Sequence, residues 1–521
     1  MSFESSAFQN VTSSGALSVI DSFQSMFYLK MFFTAIAIIL VWDQISYQIK
    51  KGSIAGPLFK FYPIIGPFLE SLDPKFEEYK AKWASGDLSC VSIFHKFVII
   101  ASSRDLARKI LQAPKFVKPC VVDVAVKILR PCNWVFLDGK AHIDYRRSLN
   151  GLFTKPALAQ YLPSQEKLMD KYMEKFIQYS KANNYEPQVF FHEMREILCA
   201  LSLQSFCGDY ITEDQVRGIA DDYYLVTAAL ELVNFPIIIP FTKTWYGKKT
   251  ADAAMKIFES CAQMSKDHIA KGGKPVCVMD AWCKLMHDSK NKNDDESRLY
   301  HREFTNKEIS EAIFTFLFAS QDASSSLACW IFQILADRPD VLQKVREEQL
   351  SVRNNDMDTE LTIELIEKMT YTNMVVKETL RYRPPVLMVP YLVKQNFPIS
   401  PTYTAPKGSM LIPTLYPALH DPEVYESPDE FIPERWVEGS VANENKQNFL
   451  VFGCGPHVCL GQTYVLITFA ALIGKFSLYT DFTHKVTPLS EKIKVFATIF
   501  PKDDLFMTFK RRDPLTGEVS E

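Results

Sequence analysis

The amino-acid sequence predicts a mainly α-helical protein with small β-sheets, preceded by a single N-terminal transmembrane helix. Three observations lead to this prediction: an apolar stretch near the N-terminus, helical spacing of apolar residues over most of the remaining chain, and strand-like alternation in short segments only. The 521 residues are 47% hydrophobic and 23% charged, which excludes disorder and coiled coil. The chain has 58 Lys and Arg against 61 Asp and Glu, so its net charge is -3. Since no excess of positive charge would attract phosphate groups, nucleic acid is not an expected partner.

The first element is the apolar stretch 26–42, which contains a single charged residue. As a helix it would measure roughly 26 Å at about 1.5 Å per residue, which nearly crosses the hydrocarbon core of a bilayer. Lys50, Lys51 and Lys60 follow it, so the positive-inside rule predicts a cytosolic body and a lumenal N-terminal segment, 1–25. We expect one membrane anchor, with a signal peptide and a buried core helix as the alternatives.

A stiff linker is predicted at 43–67, where the pairs Gly56-Pro57 and Gly66-Pro67 interrupt any regular helix or strand. Residues 68–521 then form one large domain. Its predicted helices include 165–180, 187–206, 213–232 and 250–269, and its predicted strands lie within 89–100, 385–393, 409–413 and 505–509. The chain has 11 cysteines and no C-x-x-C pair, which indicates reduced thiols and a body that faces the cytosol.

One predicted helix is unusually long. Thr305 and Glu308 form a capping box, and no residue stops the helix before Pro339. In its middle, Asp322 and Ser324 lie between apolar flanks, within a run of serines whose hydroxyls loosen helices by bonding to carbonyls. A solvated face or a satisfied kink would explain the same pattern, so this segment alone does not establish a function.

The strongest functional signal is the loop 452–461, FGCGPHVCLG, which precedes an apolar helical run. Cys459 lies at the start of that predicted helix, where amide donors and the helix dipole favour a thiolate over a thiol. Gly455 and Gly461 let the backbone approach a flat ligand closely, beside Phe452. A thiolate on a glycine-rich loop suits the iron of a haem as axial ligand when dioxygen is to be split.

The spacing F-x-x-G-x-[RH]-x-C-x-G of this loop resembles that of the cytochrome P-450 haem-thiolate enzymes, and the resemblance covers nearly the whole chain after the anchor. It implies the cytochrome P-450 fold for the catalytic domain 68–521, haem b as cofactor and Cys459 as the iron ligand. Glu378 and Arg381 resemble the E-x-x-R of the family, and Arg435 resembles the arginine of its P-x-R segment. The resemblance implies that these three form a structural ion triad, in which an unpaired buried charge would cost several kcal/mol.

Two further sites resemble family motifs but differ from them by one residue each. His142 and Arg146 resemble its W-x-x-x-R, with histidine in place of tryptophan, and one helical turn apart they suit a haem propionate. His457 stands where many members have arginine, and it would also meet a propionate. A surface helix pair and an ordinary loop histidine are the alternatives for these residues.

The long helix resembles the distal helix of the family, whose motif is [AG]-G-x-[DE]-T. The chain retains the acid as Asp322, but Ala323 replaces the threonine. The resemblance implies that Asp322 feeds protons to oxygen activation, with Ser324, Ser320 or a water supplying the missing hydroxyl. If no such relay exists, oxygen activation is absent.

Within the family, the chain is most similar to the fungal sterol C-22 desaturases, through FASQDASSS, KETLRYRPPVLMVPY and FGCGPHVCLGQTYV. The implied reaction removes one hydrogen from each of C-22 and C-23 of an ergosta-type sterol in ergosterol biosynthesis. It uses O2 and electrons from NADPH, delivered by cytochrome P-450 reductase at the endoplasmic reticulum membrane. The alternatives are another sterol or lipid hydroxylase or a 14-demethylase, a haem-thiolate isomerase or dehydratase that needs no reductase, and a non-catalytic sterol or haem binder.

The implied substrate pocket is apolar and aromatic, as a sterol requires. Any single residue in it could equally be an ordinary core residue. Its segments, placed by analogy with the family, are 121–136, 225–241, 314–323, 385–390 and 497–500.

Overall fold

The helices dominate the chain, as the sequence predicts. The computed structural model describes residues 6–60, 66–67, 74–93, 96–120, 123–230, 237–291, 302–445, 447–496 and 498–520, with 6–25 and 291 described by their backbone alone. The α-helices are α1 (Ser6–Lys51), α2 (Phe76–Ala84), α3 (Arg104–Leu111), α4 (Asp123–Leu129), α5 (Gly139–Asn150), α6 (Lys155–Ala182), α7 (Phe191–Cys207), α8 (Glu213–Ala229), α9 (Lys243–Ala270), α10 (Val278–Asn291), α11 (Asn306–Asp337), α12 (Pro339–Val352), α13 (Ile363–Lys368), α14 (Thr370–Tyr382), α15 (Leu415–Leu419), α16 (Val441–Glu444) and α17 (Gln462–Tyr479).

The strands are short and form small sheets. They are β1 (Leu88–Ile93), β2 (Lys96–Ala101), β3 (Val117–Pro119), β4 (Gln188–Val189), β5 (Tyr391–Val393), β6 (Phe397–Ser400), β7 (Tyr403–Ala405), β8 (Met410–Pro413), β9 (Thr480–His484), β10 (Ile493–Phe496), β11 (Thr498–Pro501), β12 (Phe506–Arg512) and β13 (Val519–Ser520). The largest described sheet has the order β1-β2-β8-β5-β3, in which only β2 and β8 run parallel. In a second sheet β12 pairs with β4, β9 and β13, while β6-β7 and β10-β11 are separate hairpins.

The long helix α11 begins and ends where the sequence predicts. The Thr305 side chain accepts a hydrogen bond from the Glu308 amide at 3.2 Å, and the Glu308 carboxylate accepts one from the Thr305 amide at 2.9 Å. Together they satisfy amide donors that have no partner within the first turn. The helix ends at Asp337, because Pro339 begins α12.

The N-terminal helix is longer than the sequence predicts. It does not end at Trp42 but continues to Lys51, so the predicted linker 43–67 begins as helix and the irregular chain starts at Gly52. Residues Met26–Lys51 are long and apolar enough to cross a membrane, and the body of the protein buries none of the tested window. Part of the predicted linker, at 61–65, lies outside the described residues.

The last turns of α1 are fastened to the body. Tyr47 is buried against Phe97, and its hydroxyl donates to the Pro57 carbonyl at 2.8 Å. Lys60 forms an ion pair with Asp43 at 2.6 Å, and the Tyr403 hydroxyl donates to the carbonyl of residue 50 at 2.7 Å. The contacts with Phe97 and Tyr403 join the last turns of the apolar helix to the body, and those with Pro57 and Lys60 join them to the irregular chain that follows the helix.

The main core lies among the long helices. Helix α7 packs against both α6 and α11, α17 packs on α6, and α9 packs on α8 and α11. The largest side chains in this core, including Trp282 and Trp330, are fully buried. This packing holds α11 across from the loop that precedes α17.

Candidate active site

Two glycines determine the shape of the loop before α17. Gly453 and Gly455 have φ angles of 70° and 76°, which side-chain-bearing residues rarely adopt. A Cβ atom on Gly455 would also lie 2.5 Å from the carbonyl oxygen of Leu111, closer than packing permits. The loop closes through the Cys459 amide, which donates to the Phe452 carbonyl at 2.9 Å and so presents Cys459 just ahead of α17.

The surroundings of the Cys459 thiol include groups that raise its pKa and groups that lower it. Burial raises the pKa of Cys459, while the backbone amides of Gly461 and Gln462 and the guanidinium of Arg146 oppose that rise. The amide donors predicted at this helix start are therefore present, but desolvation outweighs them. A metal cation bound at this position would favour the anionic form of the sulfur.

A cavity of about 450 Å³ lies between this loop and α11. Cys459 is one of its wall residues, together with Phe452, His457, Gly461 and Arg146. Much of the remaining wall is apolar and aromatic. From α11 the wall includes Thr315, Phe316, Phe318, Ala319, Ser320, Ala323, Ser324 and Leu327.

Three of the five pocket segments that the resemblance implies contribute to this wall. They supply Leu129, Trp134, Val135, Phe136, Thr315, Phe316, Phe318, Ala319, Ser320, Ala323, Pro385, Val386, Val389 and Pro390. The described residues of 225–241 and 497–500 do not line the cavity, and 231–236 and 497 lie outside the described residues. Thr498 and Ile499 instead contact the opposite side of α11 through hydrogen bonds with Asp322 and Trp330.

Nitrogen donors converge at one edge of the cavity. The rings of His142 and His457 lie with centroids 4.0 Å apart, and His142 also stacks on Trp134 at 6.5 Å. Arg146 donates a hydrogen bond to the Val458 carbonyl. Burial lowers the pKa of His457 to about 4 and also lowers the pKa of His142, so both rings are neutral.

Two ring nitrogens at this edge lack hydrogen-bond partners among the described residues. They are Nε2 of His142 and Nε1 of Trp134, both buried. Buried nitrogens without a partner cost about 1–3 kcal/mol each, so this edge favours a ligand with acceptor oxygens. Sequence reasoning placed Trp134 in the pocket segment 121–136 but did not place it beside His142, because no local motif connects the two residues.

The structure distinguishes the hydroxyls of the distal helix. The Ser320 hydroxyl donates to Ser202 Oγ at 3.0 Å, whereas Ser325 and Ser326 donate to the carbonyls of Gln321 and Ile499. Ser324 lines the cavity, and its hydroxyl makes none of the hydrogen bonds found among the described residues. Its proton is therefore available to a group within the cavity.

Asp322 lies on a different side of α11 from Ser324. Its carboxylate accepts hydrogen bonds from Arg195 Nη1 at 2.5 Å and from the Thr227 hydroxyl at 2.9 Å. Asp322 is not one of the residues that line the cavity. Only 4% of Asp322 and 7% of Arg195 is exposed. The structure thus pairs the predicted acid with a buried cation on α7 that sequence reasoning did not identify.

Glu378, Arg381 and Arg435 come together as the resemblance implies. Arg381 contacts the Glu378 carboxylate at 2.8 Å and Arg435 contacts it at 3.1 Å. Trp436 donates its indole N–H to the same carboxylate at 3.0 Å. Because Glu378 and Arg381 are completely buried, the charges of this triad depend on one another.

Comparisons with known proteins agree with this geometry. The family model of Cytochrome P450 matches residues 57–502. The C-22 sterol desaturase ERG5 of Saccharomyces cerevisiae is 85% identical over 506 residues, 97% of this chain and 94% of that protein. The C-22 sterol desaturase ERG5 of Candida albicans is 70% identical over 486 residues, 93% of each chain.

Among solved structures, retinoic acid bound cyanobacterial CYP120A1 has a TM-score of 0.73 at 21% sequence identity. The likeness covers 86% of this chain and 97% of that chain, and at this identity it bears on the fold alone. The family model and the relatives cover most of the chain, including the cysteine loop, α11 and the ion triad. The chain therefore belongs to the cytochrome P450 family.

Proposed function

We propose that this protein is a sterol C-22 desaturase, a haem-thiolate oxidoreductase that introduces the C22–C23 double bond of the sterol side chain in ergosterol biosynthesis. The observation that supports this most directly is the Cys459 thiol on the wall of an apolar cavity beside α11. It occurs in a chain that is 85% identical, over nearly its whole length, to a protein with that activity in its name.

The residues around the cavity fit a haem. Cys459 would ligate the iron, and the apolar wall would cover the macrocycle. The unpartnered nitrogens of His142 and Trp134 lie beside His457 and Arg146, where the propionates of a haem require donors. When bound, the haem supplies an oxidant, made from O2 and two electrons, that can remove hydrogen from an unactivated carbon.

The chain itself must bind the sterol and orient its side chain. Phe136, Phe316, Val386 and Leu327 give the cavity the apolar surface that a sterol buries, and they exclude water from the reacting carbons. Desaturation requires that hydrogens leave two adjacent carbons instead of an oxygen atom being inserted. The wall must therefore hold C-22 and C-23 together at the reacting centre.

Ser324 is the hydroxyl that we assign to proton delivery in the cavity. It lies on the wall with its proton uncommitted, whereas the Ser320 proton is bound to Ser202. Asp322 would resupply Ser324 through a water when its carboxylate turns away from Arg195. In this arrangement Arg195 is a positioning residue, because it holds the carboxylate away from the cavity between proton transfers.

The enzyme requires a redox partner, and we propose NADPH–cytochrome P-450 reductase in that role. We also propose that α1 anchors the chain in the endoplasmic reticulum membrane as a single pass, with 1–25 lumenal, the span at 26–42 and the catalytic domain cytosolic. The exposed apolar surface of Met26–Lys51 and the basic last turn of α1, at Lys50 and Lys51, support this topology.

The proposal is tested by incubating haem-loaded protein with NADPH, its reductase and a sterol with a saturated C22–C23 bond. Mass spectrometry should detect a product two hydrogens lighter that forms only with NADPH. A product one oxygen heavier would instead indicate a hydroxylase. Conversion without NADPH would indicate an isomerase, and no conversion of a bound sterol would indicate a binding protein.

A further inference from the structure

The segment Arg130–Phe136, called the lid segment below, connects α4 to α5. Three of its residues, Trp134, Val135 and Phe136, line the cavity, and so does Leu129 at the end of α4. On its outer side, α4 packs against α9. The seam between α4 and α9 therefore borders directly on the cavity wall.

The lid segment is held on α11 by Asn133, which is 4% exposed. Its Nδ2 donates to the Glu311 carbonyl at 3.2 Å and to the Thr315 hydroxyl at 2.5 Å, and also to the Leu129 carbonyl at 2.9 Å. Breaking these buried hydrogen bonds would leave a desolvated amide without partners. Asn133 is thus the fixed end of the lid segment.

The opposite end is held on α9 by an ion pair. Arg130 Nη2 donates to the Asp252 carboxylate, and Lys248 contacts the second oxygen of Asp252 at 2.6 Å. Arg130 Nη1 meanwhile donates to the carbonyls of Lys127 and Ile128, at 3.2 Å and 3.1 Å, which closes the C-terminal end of α4. This one side chain therefore connects α4, the lid segment and α9.

Two features make this end easier to release than Asn133. The side chains of Arg130 and Asp252 are 24% and 35% exposed, so water can solvate both charges when the pair separates. Arg130 also has a φ angle of 79°, a left-handed conformation that is strained for a residue with a long side chain.

We propose that the Arg130–Asp252 pair is a latch across the seam between α4 and α9, and that its opening admits the sterol to the cavity. Asn133 keeps the lid segment on α11 while α9 moves away from α4. The inference rests on the proposed function for the identity of the ligand. The latch itself is a property of the chain, and it can be measured without a sterol.

The test compares holoprotein carrying Asp252→Asn with a control variant, Glu367→Gln. The control removes another partly exposed ion pair, between Lys155 and Glu367, that joins α6 to α13. Hydrogen exchange of the amides in the lid segment and the end of α4 should accelerate about fivefold in Asp252→Asn, as expected for loss of a partly exposed pair. The control should leave these amides unchanged.

A second measurement follows sterol binding by stopped-flow absorbance of the haem. In Asp252→Asn both the association and the dissociation rate should rise about fivefold while Kd changes little, because a latch alters the path and not the bound state. Arg130→Gln should behave in the same way, and the double variant should add nothing to either single variant.

Three outcomes would overturn the latch. They are unchanged hydrogen exchange in the lid segment, additive effects of the two substitutions on the rates, and a change in Kd without a change in the association and dissociation rates. Faster exchange in the lid segment with no sterol binding in any variant would overturn the proposed function but not the latch.

Discussion

Replacement of Glu378 by glutamine should destabilise the protein far more than its small change in volume suggests. The Oε1 atom of Glu378 accepts from Arg381 Nη2 at 2.8 Å, Arg435 Nε at 3.1 Å and the Ile432 amide at 3.0 Å. The Oε2 atom accepts from Arg381 Nε at 2.9 Å and Trp436 Nε1 at 3.0 Å. A glutamine has one acceptor oxygen, so its NH2 group would face three donors at the position of Oε1 or two at that of Oε2. The better placement therefore leaves two donors facing the NH2 group.

The cost has two parts. The two donors left facing the NH2 group lose about 1–3 kcal/mol each. The two arginines also lose the charge that neutralises them, and removing one member of a buried ion pair typically costs about 3–5 kcal/mol. Since domains are stable by only about 5–15 kcal/mol, we expect Glu378→Gln to yield little haem-loaded protein.

Glu434→Gln provides the matched control. Glu434 is in the same segment as Arg435, but its ion pair with Lys344 at 2.7 Å is about half exposed, so its loss should cost less than about 1 kcal/mol. The assay is the yield of holoprotein by the reduced carbonyl spectrum, together with the temperature of half-inactivation. If Glu378→Gln matched Glu434→Gln in both, the triad would not support the fold.

Four further predictions concern the site, the anchor and pH. Cys459→Ala should abolish the thiolate-type shift of the reduced carbonyl spectrum; a normal spectrum would remove the ligand assignment. Ser324→Ala should slow sterol turnover by about 100-fold with binding unchanged, while Ser325→Ala should have little effect, and equal effects would count against Ser324. Removal of residues 1–42 should release the protein from membranes in a flotation assay, and continued flotation would show a second membrane contact. Burial, aided by nearby arginines, lowers the pKa of His420 from 6.5 to about 3. Between these pH values the unfolded chain binds a proton that the folded chain does not. The free energy of unfolding should therefore decrease by about 1.4 kcal/mol for each unit that the pH falls from 6.5 toward 3. His420→Gln should lessen this slope in acid-unfolding curves, and an unchanged slope would contradict the assignment.

The sequence predicted features that depend on neighbouring residues. The capping box of α11 and the loop around Cys459 are local, because hydrogen bonds and glycine conformations within a few residues determine them. The ion triad was expected only through the resemblance to the family, because E-x-x-R alone occurs by chance in a chain with this many charges. The mainly helical fold followed from apolar spacing along the chain.

The contacts that sequence analysis missed connect distant parts of the chain. Arg195 meets Asp322 across 127 positions, and no pattern around either residue indicates that a cation on α7 faces α11. The helical conformation of 43–51, at the start of the predicted linker, was not expected because the apolar stretch ends at Trp42. The helix continues to Lys51, and Tyr47 in this part packs on Phe97.

The fastening of α1 to the body has a mechanical consequence. A helix joined to a domain by a flexible tether can change its tilt without moving the domain. Here Tyr47 packs on Phe97, and the Tyr403 hydroxyl donates to the carbonyl of residue 50, so both join the last turns of the helix to the body. A change in tilt would therefore turn the body with the helix. Transmembrane helices adjust their tilt to the thickness of the surrounding bilayer. With the proposed topology, bilayer thickness would therefore set the angle at which the cavity faces the lipid surface.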